Sequence, residues 1–394
     1  MAVYVNAIYH LIVISMVLGG FFSRTTLTTP ASVVRELCIW LLVVLLLGTG
    51  LVARKSVSGL LRPALYVLFA SFSIGLLTTG IYDLDVRTIS NKWAVLYKFF
   101  QFFVLVACFS GYSRLTGRPL ESLARSFVVY LGIYALVSPV IYFYPPSIMI
   151  ENFRWWGRFG VGYPTMDSQL YALGIVLLLF GKVFNGFPRA LLLALCLWGV
   201  LIQVTATGFV TVAAVFAVYA LLHFRAALKS VPAVVLVTVA GAIVLSLAGS
   251  DVTGAAVDLF WVKVQNLTGA NSDINTLDIR QDQFNDLLYM LRGDFLANWI
   301  GVGVGIYVEN QYGFSRIAFG ILGVAAYIGV LGLIFAEGLK RRKLDGGVLL
   351  ASGLVLALTS YTLTVFYLYP LTCALAMALL YSEGMKRQAL ASVP

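Results

Sequence analysis

Charge is scarce in this chain. Only 11% of its 394 residues are Asp, Glu, Lys or Arg, while 60% belong to the set AVILMFWYC; soluble domains carry about 25% charged residues. That balance excludes a water-soluble globule. Histidine is scarcer still, with His10 and His223 the only two, and the four cysteines (Cys38, Cys108, Cys196, Cys373) all lie inside apolar runs without paired metal-ligand spacing. Neither a disulfide framework nor a structural metal is expected, and no cofactor motif points to a prosthetic group. No fixed repeat, low-complexity tract or Pro- or Ser-rich linker interrupts the sequence, so residues 1–394 read as a single integral membrane domain. Residues 4–22 have neither a basic flank nor a small-residue cleavage site and read as a first span rather than a cleaved leader.

What is there is hydrocarbon. Apolar runs occur at about 4–22, 34–53, 60–81, 93–112, 126–144, 166–184, 188–204, 207–224, 231–249, 314–336, 347–366 and 369–382, and about 20 apolar residues cross the hydrocarbon core of a bilayer. The expected fold class is therefore all-α and polytopic, with about twelve transmembrane helices. The net charge of +10 says little about nucleic acid until the charges are placed, because Lys and Arg concentrate in cytoplasmic loops. With the N-terminus inside, sixteen of the 27 basic residues fall in cytoplasmic segments, Arg54, Lys55, Arg62 and the run Lys340-Arg341-Arg342-Lys343 among them. Both termini then read as cytoplasmic, the membrane lipids are a partner, and nucleic acid is not.

Two long segments fall on the other side, 145–165 and 250–313. A structureless loop as long as the second is unusual, so it is expected to be helical and functional. From Asn275 it reads N-T-L-D-I-R-Q-D-Q-F-N-D-L-L-Y-M-L-R-G-D, with a cap, acids in the first turn, and Gly293 after the last basic residue. Phe284, Leu287, Leu288 and Leu291 form one apolar stripe, and Arg280 lies on it. An arginine on a packing face needs either a buried acid, a backbone terminus or an anionic ligand. Arg292 lies about 18 Å farther along the helix, in its last turn, where a cation meets the helix dipole. Gly301-Val302-Gly303-Val304-Gly305 follows, permitting close backbone approach or positive φ. Glu309 comes next, a lone carboxylate in a Tyr- and Asn-rich stretch beside Tyr312, where partial burial would suit a general base; an exposed interfacial acid is the alternative.

The shorter segment reads E-N-F-R-W-W-G-R-F-G-V-G-Y-P-T-M-D over 151–167. One helical turn would put Arg154 and Arg158 on a common face, with Trp155 and Trp156 between them. Such a set can either grip a phosphate and stack on sugars or anchor the chain as an aromatic belt. Lys98 lies five or six residues inside the fourth span and keeps an intramembrane role open.

This arrangement resembles the bacterial O-antigen polymerase (Wzy-type) and ligase superfamily. The resemblance rests on about twelve spans with both ends inside, a large outer loop, and an arginine-led helix running from Arg280 into Gly301-Val302-Gly303-Val304-Gly305. It rests also on Glu309-Asn310-Gln311-Tyr312 entering a Gly-rich span, on Arg158-Phe159-Gly160 before the sixth span, and on an Arg-x10-Gly run from Arg292 to Gly303. Ligases resemble His-Asn where this chain has Glu309-Asn310, and they tend to carry an arginine after the span ending at Thr205-Ala206-Thr207-Gly208, where there is none; both departures favour the polymerase.

The resemblance implies a metal-independent glycosyltransferase, without a cofactor, in the bacterial inner membrane. It would join undecaprenyl-diphosphate-linked oligosaccharide repeat units at the periplasmic face, in some cases alongside a chain-length regulator protein. In that frame Glu309 and Arg280 are the expected catalytic residues, and Arg154, Arg158, Arg292, Trp155, Trp156 and Tyr312 the expected substrate-binding residues. An O-antigen ligase, a lipid-linked glycan flippase or secondary transporter, and a membrane scaffold are the competing readings.

Overall fold

The computed structural model describes residues 2–50, 57–82, 91–155, 157–224, 235, 254–255, 257–259, 261–262, 265, 282, 284–289, 291–305, 308–342 and 346–391, the last four by backbone alone. Among these the chain is all-helical, apart from turns and one isolated bridge between Thr25 and Met149. The elements are α1 (Ala2–Val17), α2 (Gly19–Phe22), α3 (Thr28–Gly48), α4 (Leu61–Tyr82), α5 (Lys92–Thr116), α6 (Leu120–Phe143), α7 (Pro164–Leu179), α8 (Gly186–Gln203), α9 (Ala206–Leu222), α10 (Phe295–Ile300), α11 (Gln311–Lys340), α12 (Gly346–Thr359), a 3-10 turn (Val365–Tyr367) and α13 (Tyr369–Ala391). Six of them, α3, α4, α5, α6, α8 and α11, are long and apolar enough to cross a membrane. Eleven of the apolar runs coincide with described helices; the ninth, 231–249, lies outside the described residues except for Val235.

Helix ends follow local chemistry. Asn91 caps α5 by accepting from the amides of Trp93 and Ala94, Thr205 caps α9 through Gly208, and Gly117 closes α5 at φ 71°. A side-chain oxygen at the N-cap satisfies amides that have no partner in the first turn. Hydropathy ignores such single bonds; α3, which starts at Thr28 ahead of the apolar run near 34, has no side-chain cap of its own.

α7 is the axis of the bundle. Every one of its residues except Thr165 is buried, from the polar first turns with Asp167, Ser168 and Gln169 to the apolar remainder, and it packs on α8, α9, α12 and α13. Beside it, Phe72, Phe99, Phe102, Phe314, Phe319 and Phe366 form an aromatic core, with ring centres 4.9 Å apart for Phe99–Phe314, 5.0 Å for Phe72–Phe99 and 5.2 Å for Phe102–Phe366. Where the surrounding solvent is itself apolar, such close packing, rather than water exclusion, holds helices together.

At one end of the bundle a buried ion cluster ties three elements together. Arg341 donates to Glu337 at 2.5 Å and also to Glu383, and Lys386 lies 3.5 Å from Glu337. The same carboxylates accept from the backbone amides of Leu60 (3.0 Å) and Ser58 (3.0 Å), so the segment before α4 is clamped to the ends of α11 and α13. The opposite end carries the candidate site.

Candidate functional site

At that end α6 gives way to a loop over 144–163 that folds back on the bundle. The spacing of Arg154 and Arg158 predicts a shared helical face; instead the loop is irregular, because Gly157 (φ 65°) and Gly162 (φ 126°) turn it twice. Both φ values are barred to most side chains. The backbone is nevertheless tied down at several points. Phe159 and Gly160 both donate to the Ile202 carbonyl at 3.1 Å, Val161 donates to Ser138 Oγ at 2.7 Å, and Ile150 donates to the Arg24 carbonyl at 3.1 Å.

This lacing separates the two arginines. Arg154 is exposed, its Nε donating to the Tyr142 carbonyl at 3.1 Å. Arg158 turns inward, with its Cζ 5.6 Å from the Trp155 ring centre. A second guanidinium, that of Arg24 from the connection between α2 and α3, has its Cζ 4.4 Å from the same ring. Trp155 is held by its indole N–H, which donates to the Gly162 carbonyl at 3.0 Å. One indole thus carries two guanidinium groups, an arrangement favoured by the ring quadrupole.

Arg158 is largely buried and Arg24 partly so. Burial pushes the Arg158 pKa down, and burial pushes down that of Arg24 as well, opposed there by the neighbouring Tyr163 and Asp167. Arginine remains a cation under such shifts. The Nε of each is buried without a hydrogen-bond partner among the described residues. A buried donor without a partner costs about 1–3 kcal/mol, more when charged, and an anion with several acceptor oxygens would relieve both.

Near Arg24 lies Asp167, buried in the first turn of α7, where its Oδ2 is 3.2 Å from the Tyr134 hydroxyl. The same hydroxyl donates to the Val161 carbonyl. A Cβ at Gly162 would come within 2.7 Å of the Tyr134 oxygen, and one at Gly20 within 2.6 Å of Asp167 Oδ2, so backbone closes around this carboxylate. It orients its neighbours rather than facing open space. Gln203 sits alongside, fully buried under Gly160, with both amide atoms lacking a partner among the described residues. An apolar groove of 310 Å³ between α1 and α6, lined by Val17, Phe21, Ile133 and Val137, reaches Tyr134 from the flank.

The described end of the longer segment, from Arg292 on, meets the same end of the bundle. Tyr82 donates to Asp294 Oδ2 at 2.9 Å, and Asp294 Oδ1 caps α10 through the Ala297 amide at 2.9 Å. The Ala297 amide foremost, with the Tyr82 hydroxyl, holds the Asp294 carboxyl below its ordinary range. α11 is broken at Gly320 (φ 68°), and the carbonyls of Ile317 and Ala318 accept from Val302 and Gly303, both at 3.0 Å. The glycine run expected to allow close approach therefore packs against this break, Gly301 and Gly303 at positive φ. Discontinuous helices are tolerated at membrane depth where protein re-satisfies the freed groups. Arg316 lies beside the break and donates to Asn298 Oδ1 at 2.7 Å.

The remaining expected residues are dispersed. Arg292 is exposed, with its Cζ 5.4 Å from the Tyr289 ring centre. Glu309 is half-buried just before Asn310, which caps α11 through Gly313. Tyr312 packs inward, its hydroxyl donating to the Ala357 carbonyl at 3.1 Å. Arg280 and Trp156 lie outside the described residues. Of the expected set, the structure brings Trp155 and Arg158 together and adds Arg24, which pattern reading passed over. The available signal was its isolation: Arg24 is the single charged residue between positions 2 and 34.

No group of three or more His, Cys, Asp or Glu side chains among the described residues could hold a metal ion. Comparison of the sequence with models of known protein families gives no match, and comparison with curated proteins gives none. The functional reading therefore rests on the site.

Proposed function

We propose that this chain is an O-antigen or polysaccharide polymerase of the bacterial inner membrane, with about twelve spans, both termini cytoplasmic and the Arg24–Trp155–Arg158 cluster facing the periplasm. Its substrate is an undecaprenyl-diphosphate-linked oligosaccharide. The observation that carries the reading is the pair of partly buried guanidiniums on one indole, each with a buried donor unspent, near an apolar groove that reaches Tyr134 from the flank of the bundle. That combination suits a diphosphate joined to a prenyl chain.

In the reaction an acceptor sugar hydroxyl attacks the anomeric carbon of the donor glycan. Its proton passes to a general base, while the C–O bond to the diphosphate breaks and undecaprenyl diphosphate leaves with the electron pair; Glu309, the base expected from the sequence, lies apart from the Arg24–Trp155–Arg158 cluster and would have to reach the acceptor from outside it. Arg24 and Arg158 stabilise the charge that develops on the leaving oxygen, and they do so in a site poor in water, where fixed cations act most strongly. Asp167 and Tyr134 keep Arg24 and the 161–162 backbone in place. Arg280, Arg292 and Trp156 remain candidates for further contacts to the glycan.

The test is elongation of a lipid-linked repeat unit by the purified protein in liposomes. Glycan ladders from the wild type, and their loss by about two orders of magnitude in Arg158→Ala, the scale expected for one preorganised donor, support the reading. Wild-type ladders from well-expressed Arg158→Ala overturn it. Transfer to lipid A core would indicate the ligase, and passage of glycan across the bilayer without elongation the transporter.

A further inference from the structure

α10 is built inside out. Its residues Phe295, Leu296 and Trp299 fall within about 100° of arc on a helix, and they are 78%, 49% and 41% exposed. Ala297, on the opposite side, is buried. The polar groups are the ones turned toward the bundle. Asn298 donates to the Leu291 carbonyl at 2.9 Å and accepts from Arg316 at 2.7 Å, while Asp294 accepts from Tyr82 and caps the helix. A surface helix surrounded by water turns the other way, with polar side chains outward and rings against the core. Two aromatic rings and a leucine left bare, beside polar groups already satisfied within, mark a face that meets something apolar.

Its neighbours say what that is. At the start of α10, Tyr82 holds Asp294, and Ile81 just before Tyr82 is exposed, as is Leu77 one turn earlier on α4. At its end, Trp299 lies so close to α11 that a Cβ at Gly320 would collide with its carbonyl, and the next two residues of α11, Ile321 and Leu322, are again exposed. α4 and α11 pack along each other, and both are long and apolar enough to cross a membrane. The bare face of α10 thus lies between exposed apolar residues of two neighbouring spans, at the end where α4 terminates. Arg292, exposed three residues before α10, stands where a long basic side chain can reach headgroups while aromatic rings occupy the boundary beneath.

We propose that α10 lies in the boundary layer of the bilayer, with Phe295, Leu296 and Trp299 set among acyl chains and Arg292 at the headgroups. Its partner is the lipid surface as a whole rather than one bound molecule, the mode of a helix that lies on a membrane without spanning it. The anchor has a structural consequence. Directly after α10 the amides of Val302 and Gly303 donate to the carbonyls of Ile317 and Ala318, so the bilayer sets the depth at which the glycine run meets the break in α11. The inference needs a membrane but not the enzymatic activity proposed above.

The test is spin labelling of the full-length chain, with its four cysteines replaced by alanine, in vesicles of phosphatidylcholine and phosphatidylglycerol. Nitroxides are placed one at a time at Phe295→Cys and Trp299→Cys, with Leu77→Cys on the exposed face of α4 as the lipid reference and Glu151→Cys in the exposed loop as the water reference. Collisions with oxygen, which dissolves in the acyl region, are compared with collisions with a water-soluble nickel chelate. The ratio of oxygen to nickel collisions at 295 and 299 is expected to exceed that at 151 by most of the rise seen at 77. A ratio equal to that at 151 puts α10 in water and overturns the proposal. Few collisions with either reagent would show that protein covers the face and would overturn it too; recovery on dilution with unlabelled chain would identify that protein as a second copy. The labelled side chains are exposed, so their replacement removes little packing, and thermal unfolding of each variant in detergent checks this. A variant that unfolds well below the cysteine-free parent is replaced by Leu296→Cys, which reports on the same face. No arm requires turnover, so failure here leaves the proposed activity standing, and a protein that does not elongate glycan leaves the anchor standing.

Discussion

Gly162→Ala is the sharpest perturbation of the candidate site that leaves every functional group in place. The position has φ 126°, and an added Cβ would fall 2.7 Å from the Tyr134 oxygen as well as against Asp167. Backbone strain of this kind costs about 1–3 kcal/mol, and overpacking of a filled site typically adds another 1–3 kcal/mol. The protein need not bear that sum globally. Loops open at a fraction of the global unfolding free energy, so the strain is relieved by releasing residues 157–162, with loss of the bonds from Val161 to Ser138 Oγ and from Trp155 to the Gly162 carbonyl. Destabilising the closed loop by about 2 kcal/mol multiplies its open population by roughly 30. Hydrogen exchange read by mass spectrometry on the 151–163 peptide measures this directly, through the Val161 amide. The expected result is at least that loss of protection, with the midpoint of thermal unfolding little changed and elongation activity lost in parallel. Gly117→Ala is the control: its φ of 71° is also left-handed but nothing lies within 4 Å of the new Cβ, and its effect should not reach the 151–163 peptide. Unchanged protection at Val161 in Gly162→Ala would refute the claim that the glycine turn positions Trp155 and Arg158.

Other expectations concern regions away from this turn. Arg341→Met leaves two buried carboxylates facing each other and is expected to cost about 3–5 kcal/mol, the range for breaking a buried ion pair; a thiol-reactive dye reporting exposure of Cys108, Cys196 and Cys373, all buried, would register the fall in unfolding temperature. Adding Glu383→Gln to that variant should return part of the loss, since it removes one of the unbalanced charges. Asp294 has a depressed carboxyl pKa, so its contribution to the start of α10 is fully present above the ordinary carboxylate range and fades as pH falls through the lowered value; Asp294→Asn should abolish that acid dependence of exchange at the Ala297 amide. Trp155→Phe keeps the ring beneath Arg24 and Arg158 but loses the bond to Gly162, and is expected to retain more elongation activity than Trp155→Ala.

The helical class and most helix positions were legible because hydropathy reports directly on which stretches can be buried or face lipid. Helix ends were less so: Asn91, Thr205 and Asn310 decide them through single side-chain hydrogen bonds, invisible to a window average. The break in α11 was hidden for the same reason, since Gly320 sits in an unbroken apolar run. At the site, Trp155 and Arg158 stood out as an aromatic and basic cluster. Periodicity nonetheless placed Arg154 beside Arg158, and the positive φ of Gly157 between them broke the helical turn that would have aligned them.

By itself, then, the sequence determined that the chain is helical, that its bulk is apolar, and where its few charges lie along it, because these follow from composition and local order. Which charges meet was decided only by the tertiary structure. Arg24 and Arg158 are more than a hundred positions apart, and so scattered a pair leaves no local pattern. They share one indole because the 144–163 loop is hydrogen-bonded at once to the α2–α3 connection and to the end of α8.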